Sequence, residues 1–337
     1  MISRQEVREA LTGPIASLNT TFNRDGSIDY GGLRNLIDSC ISGGAHTMLL
    51  THGDSLYTVL SDEEIAEVTR VVAEHTGDRA MVVAADGGWW TGQTVEFADH
   101  VRDVGADVLM TKPPDWARSS TVDTFVEHYA AVAERIPVMV VTNVWAGRTD
   151  LGLRTVEALR DRVDGIVAIK DDLLGEFARK MTTLVHDRWA VFAGGEKQNH
   201  LDIVHYGAVG YMSTFVIFRP GVASEYWHAT QRGDWTRAAQ VIKDHDRPYF
   251  DYVRNLRGGY DAGIHGVLEL YGIAGRWRRN PYYSLSDVEM EAMRDFFKSR
   301  GWLSPRDCPA RAIRPPMRRL SPTRHAEAQP IQVDNGQ

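Results

Sequence analysis

The chain has 337 residues, 43% of them hydrophobic and 25% charged, which supplies enough apolar side chains for a sizeable core. A formal charge of -7 and a pI near 5.9 leave no electrostatic footprint for a nucleic acid. No apolar run approaches the roughly 20 residues that span a bilayer, so no membrane partner is expected.

In chain order, the N-terminal stretch MISRQEVREALTGPIA has no long apolar centre and is not read as a secretory leader. Eight short apolar runs follow: PIASLNTTF (14–22), HTMLLT (46–51), AMVVAAD (80–86), DVLMTKP (107–113), PVMVVTN (137–143), DGIVAIKDD (164–172), WAVFAGG (189–195) and AVGYMST (208–214). Rich in Val, Ile, Leu and Met, they have the pattern of strands buried on both faces. Helical periodicity separates them, as from Ser61-Asp62, where Ile65, Val68, Val71 and Val72 share a face, and from Asp123, where Phe125, Tyr129 and Val132 do. Eight strands alternating with helices predict an α/β fold, a (β/α)8 TIM barrel, over residues 1–230. A Rossmann-like sheet is the alternative, but no GxGxxG follows the first strand.

Residues 231–302 read as a C-terminal three-helix extension, and 303–337, rich in Pro and Arg and without periodicity, as a disordered tail. Cys40 lies in an apolar helical stretch and Cys308 in the tail, so no disulfide is expected and a reducing cytoplasm is the natural compartment. The histidines are scattered without HxH or HExxH spacing, so neither a metal nor another cofactor is expected.

Barrel chemistry sits at the C-terminal ends of strands. The sixth run closes in Ile169-Lys170-Asp171-Asp172, where Lys170 is either a snorkelling surface lysine or a partly desolvated amine. Desolvation favours the neutral amine, the form that attacks a carbonyl. The second run ends in Leu50-Thr51-His52-Gly53-Asp54-Ser55, either a tight connection or a hydroxyl and amide cradle for a carboxylate. The seventh ends in Gly194-Gly195-Glu196-Lys197, where Glu196 would repel a phosphate.

Taken together, residues 13–300 resemble the dihydrodipicolinate synthase / N-acetylneuraminate lyase family, whose members form an imine between a lysine and a 2-oxo acid. Its strand-two Gly-Thr-Thr-Gly-Glu-Ser is matched by Leu50–Ser55, its strand-six Gly-Ile-Lys-Asp/Glu by Ala168–Asp171, and its strand-eight Gly-x-Ile-Ser by Gly210–Ser213. The late Gly-x-x-Arg-x-Pro is matched, loosened, by Gly275–Pro281. The resemblance implies that Lys170 condenses with pyruvate or a related 2-oxo acid, and that the resulting enamine meets an aldehyde or forms when an aldol product is cleaved. It further implies that Thr51, His52 and Gly53 hold the carboxylate, that Gly194 and Met212 line the substrate, and that the chain is a homo-oligomer, a dimer or tetramer.

Two departures stand out. The family's strand-five Tyr-Asn-x-Pro is replaced by Thr142-Asn143-Val144-Trp145, so Thr142 stands where a proton-relaying phenol is expected, and no tyrosine follows strand four. These losses argue against dihydrodipicolinate synthase activity itself. Thr142 is too weak an acid to replace the phenol, though it can position a water. His52, in place of the family's second threonine, is the expected substitute in the relay, with Tyr57 a weaker one. Arg148 matches, with a one-residue offset, the arginine that receives a distal carboxylate. Asp172, where the family has a small residue, would favour a charged lysine, against what attack requires, unless it turns away or serves as an acid–base group. The expectation is therefore a Schiff-base lyase. Dehydration of a sugar-acid-like substrate by the same imine and a non-catalytic 2-oxo acid binder are the alternatives.

Overall fold

A computed structural model describes residues 2–303. The tail, with Cys308, falls beyond them, while Cys40 is a buried free thiol. Eight strands form where the apolar runs lie: β1 (Gly13–Ser17), β2 (Thr47–Leu49), β3 (Met81–Ala85), β4 (Val108–Thr111), β5 (Val138–Val141), β6 (Ile166–Asp171), β7 (Ala190–Ala193) and β8 (Gly210–Met212). They close in sequence order into a barrel, β8 returning to pair with β1 in parallel, Gly13 opposite Gly210 and Ile15 opposite Met212. Their Val, Ile, Ala and Met side chains are covered by the barrel interior on one side and by helices on the other, and all six residues of β6 are buried.

The helices follow their sequence signals. Helix Asp62–Thr76 begins at Ser61, whose hydroxyl and the Glu64 carboxylate form a capping box, and it buries Ile65, Val68, Val71 and Val72. Each such side chain taken from water contributes about 1.5–3 kcal/mol. Helix Val122–Ala133 buries Phe125, Tyr129 and Val132 in the same way.

A short helix, Arg4–Ala10, precedes the barrel and closes its N-terminal end. The Ala10 carbonyl accepts from Thr47 Oγ1 at 2.8 Å, and Arg8 donates to the Trp189 carbonyl at 2.8 Å. The opposite end stays open.

After β8 the chain is helical: Phe215–Phe218, Pro220–Gln231, Trp235–Val241, a π-helical segment Ile242–Asp246, Arg247–Arg254, Gly259–Leu270 and Asp287–Ser299. This C-terminal region packs together through ring contacts of Phe215 with Tyr249, Tyr249 with Phe297 and Phe297 with Trp302, and brings Arg254, Tyr260 and Ile264 to the C-terminal mouth.

Candidate active site at the barrel mouth

Lys170 is the fifth residue of β6, in register with Val141 of β5 and Phe192 of β7. It is 6% exposed, and its Nζ lies 2.5 and 2.7 Å from the two oxygens of Asp172. The carboxylate therefore folds back onto the amine. β6 ends at Asp171, so Asp172 belongs to the turn that follows, and that turn is tied down. The buried Asp171 carboxylate accepts from the amides of Leu173 and Leu174 at 3.3 and 3.2 Å. Burial pushes the Asp171 carboxyl upward.

Thr142, at the end of β5, completes the tie. Its hydroxyl donates to Asp171 Oδ1 at 3.1 Å and accepts from the Asp172 amide at 2.8 Å. With the side chain fully buried and both functions of the hydroxyl engaged, Thr142 holds the turn that presents Asp172 rather than a water. Gly194, after β7, gives the ion pair its space. A Cβ there would collide with the Asp172 carboxylate and lie 2.8 Å from Lys170 Nζ.

The loop after β2 is built from its own side chains. Thr51 N–H donates to Ser55 Oγ at 2.9 Å, Ser55 Oγ donates to the Leu18 carbonyl at 2.7 Å, and the Asp54 amide donates to Thr51 Oγ1 at 3.0 Å. Thr51 accepts in this turn, which leaves its O–H as a donor. Gly53 is exposed, a Cβ there meets nothing within 4 Å, and its φ is not positive, so the turn does not demand glycine. Asp54 is half-buried and accepts from Ser17 Oγ at 2.6 Å. Burial raises its carboxyl, opposed by Ser17 and by the charge of Lys170.

His52 turns toward β3. Its Nε2 lies 3.0 Å from Oδ1 of the fully buried Asp86, which also accepts from the amides of Gly88 and Lys112 and from Thr94 Oγ1, each at 3.2 Å. A carboxylate that already receives other donors accepts here too, so His52 Nε2 carries the proton of this contact. The ring meets Tyr57 edge-on at 6.1 Å, and Tyr57 is buried. Arg148 is ion-paired with Asp115 and donates to the Ser120 carbonyl at 3.2 Å, so its guanidinium is engaged by the loop after β4. Trp90 is 67% exposed, whereas the indole N–H of Trp89 donates to Asp62 at 3.0 Å.

A cavity of about 340 Å³ opens at the mouth, lined among others by Ser17, Asn19, Asp54, Gly194, Met212 and Tyr260. Two of these lining residues, Asp54 and Gly194, lie beside the Lys170 ion pair. Tyr260, from helix Gly259–Leu270, pairs with the Thr214 hydroxyl at 2.9 Å, and burial keeps its phenol protonated far above the usual range. No sequence signal marked it, because it comes from a helix after the last strand. Asp86 did carry one, a carboxylate closing an apolar strand. A second cavity of about 410 Å³ is lined by His52, Tyr57, Gly88, Lys112 and Asn143.

Among the described residues one other lysine is buried, Lys197, 2.7 Å from Asp246 Oδ1, and it lines neither cavity. Glu196 beside it accepts from Arg254 at 2.9 Å, yet burial pushes its carboxyl up to about 8. No group of three His, Cys, Asp or Glu among the described residues is arranged to hold a metal ion. No described helix is long and apolar enough to cross a membrane.

The profile of the dihydrodipicolinate synthetase family matches residues 10–300. The chain is 31% identical over 274 residues to the 4-hydroxy-tetrahydrodipicolinate synthase of Psychrobacter arcticus, a match covering 77% of this chain and 90% of the relative. Among solved structures it is similar to dihydrodipicolinate synthase from Aquifex aeolicus, with TM-score 0.74, 23% identity and coverage of 86% of this chain and 98% of that one. It is also similar to N-acetylneuraminate lyase from Fusobacterium nucleatum, with TM-score 0.75, 18% identity and coverage of 86% and 99%. At these identities the two structural likenesses speak to the fold.

Proposed function

The chain belongs to the dihydrodipicolinate synthetase family, and from that premise we propose that it is an aldolase-type lyase working through an imine between Lys170 and pyruvate or a related 2-oxo acid. The observation that carries this reading is a lysine amine buried at the barrel mouth, beside residues that line an open cavity. The 2-oxo acid's carboxylate is held by the Thr51 hydroxyl and the His52 amide, with Gly194 and Met212 bordering the reacting carbon. Lys170 attacks the keto carbon, and water leaves as the imine forms. Loss of a proton from the adjacent carbon then gives the enamine. His52, with Nε2 held by Asp86, is the relay that serves the aldehyde's oxygen.

Arg148 is paired with Asp115, and the cavity at the mouth is lined by Ser17, Asn19, Thr214 and Tyr260. These features favour a hydroxyl-bearing second substrate over one with a distal carboxylate, and they suit dehydration of a sugar-acid-like substrate through the same enamine as well as aldol chemistry. A homo-oligomer, dimer or tetramer, is part of the reading by family likeness.

Incubation with pyruvate in deuterium oxide tests the proposal. The enzyme exchanges the methyl protons for deuterium, and Lys170→Ala does not. A protein that binds pyruvate without catalysing exchange is a binder, and the lyase reading then fails.

A further inference from the structure

The imine reading leaves one chemical problem open. Forming an imine from an ammonium and a ketone requires a group that takes a proton from nitrogen and returns one to the departing oxygen. The phenol that the family resemblance supplies at the end of β5 is absent, since Thr142 stands there with its hydroxyl engaged by the Asp171 carboxylate and the Asp172 amide. The reacting nitrogen donates to Asp172, whose two oxygens lie 2.5 and 2.7 Å from Lys170 Nζ.

Three separate elements produce that contact. The turn after β6 is fixed through Asp171, Thr142 of β5 anchors the Asp172 amide, and Gly194 after β7 leaves the volume that the carboxylate fills. The substitution that removed the phenol therefore also supplies the tie that holds a carboxylate in reach. Asp172 keeps part of its side chain open, 19% against 8% for the side chain of Lys170.

We propose that Asp172 is the acid–base catalyst of imine formation at Lys170, in place of the missing phenol; this rests on the imine reading above. The Asp172 carboxylate accepts a proton from the Lys170 ammonium. The freed amine pair attacks the keto carbon, the carbonyl π pair moves to oxygen, and a proton passes from nitrogen to that oxygen, giving the neutral carbinolamine. Asp172 then returns its proton to the hydroxyl, the C–O bond breaks, and water leaves as the nitrogen pair forms the protonated imine. The carboxylate ends as it began, and the two protons lost by nitrogen leave in the water.

Loss of ¹⁸O from pyruvate labelled at its keto oxygen reads this step without any second substrate. Wild-type enzyme releases the label. Asp172→Asn, which keeps shape and a hydrogen bond, slows release by about 100-fold or more. Asp172→Ala is slowed likewise and is partly restored by added formate, which a placement role alone would not give. Gly194→Ala, which displaces the carboxylate, follows the Asp172 variants. Release by Asp172→Asn at the wild-type rate or faster means that the carboxylate merely holds the lysine charged, and it overturns the proposal. Slow release in Asp172→Ala that ignores formate assigns Asp172 to placing the amine and overturns it too. If wild-type enzyme itself releases no label, it is the imine reading that fails.

Discussion

At the scale of single residues, His52 and Asp86 are coupled by one hydrogen bond of 3.0 Å, and Asp86 has no exposed surface. An aspartate in that position accepts from the ring, and replacing it by an amide removes the charge and exchanges one acceptor oxygen for a donating NH2. His52→Ala and Asp86→Asn are each expected to lower turnover with an aldehyde partner by roughly 100-fold, while borohydride trapping of pyruvate stays at wild-type extent. Full turnover in either variant removes His52 from the relay. Lys170 was legible in the sequence because a lysine ending a run of Val, Ala and Ile has little company on a strand. Asp172 was legible as a carboxylate set two residues after the lysine, but the alternation that relates such residues holds only within a strand; β6 stops at Asp171, so the contact comes from the turn that follows. Asp86 was hidden as a partner of His52, since the pair meets only once β2 and β3 lie side by side.

At the scale of elements, the turn after β6 decides where the carboxylate sits, and Thr142 is its outside anchor. Thr142→Val keeps the shape but leaves the Asp172 amide and one oxygen of buried Asp171 short of a partner. It is expected to cost about 1–3 kcal/mol in denaturant unfolding, and to slow pyruvate exchange through a displaced Asp172. Unchanged stability and exchange would make the tie incidental. All eight strands were legible as apolar runs, but the runs outlast the strands. PIASLNTTF continues past Ser17 because Thr20 and Thr21 are buried beneath loops, donating to the Ser55 and Asp29 carbonyls at 2.6 Å each, without joining the barrel ladder. The stretch from Trp235 reads as one helix, but it passes through a π-helical segment at Ile242–Asp246. Pro248 follows and has no N–H to continue the ladder, a cause that composition shows only in hindsight.

At the scale of the whole molecule, the helices after residue 230 complete the barrel mouth. Arg254, Tyr260 and Ile264 line the main cavity, and Asp246 pairs with buried Lys197 across the boundary drawn from sequence. Which side chains a later helix sends to the mouth depends on docking, and no periodicity encodes it. Glu196 lies in this contact, its carboxyl raised from 4.5 to about 8 chiefly by burial, with Arg254 opposing. The folded chain thus holds that proton more tightly than the unfolded chain. Its stabilising contribution is full below about pH 4.5 and is lost as pH rises to about 8. Glu196→Gln should flatten the dependence of melting temperature on pH across that window in calorimetry. A variant that keeps the wild-type slope would contradict the burial of this carboxyl.

Incubating the protein with pyruvate and borohydride and mapping the modified peptide shows whether an imine forms at Lys170. A reduced adduct on Lys170, absent in Lys170→Ala, is expected. An adduct on Lys197 instead, or none on any lysine with pyruvate or a longer 2-oxo acid, would contradict it.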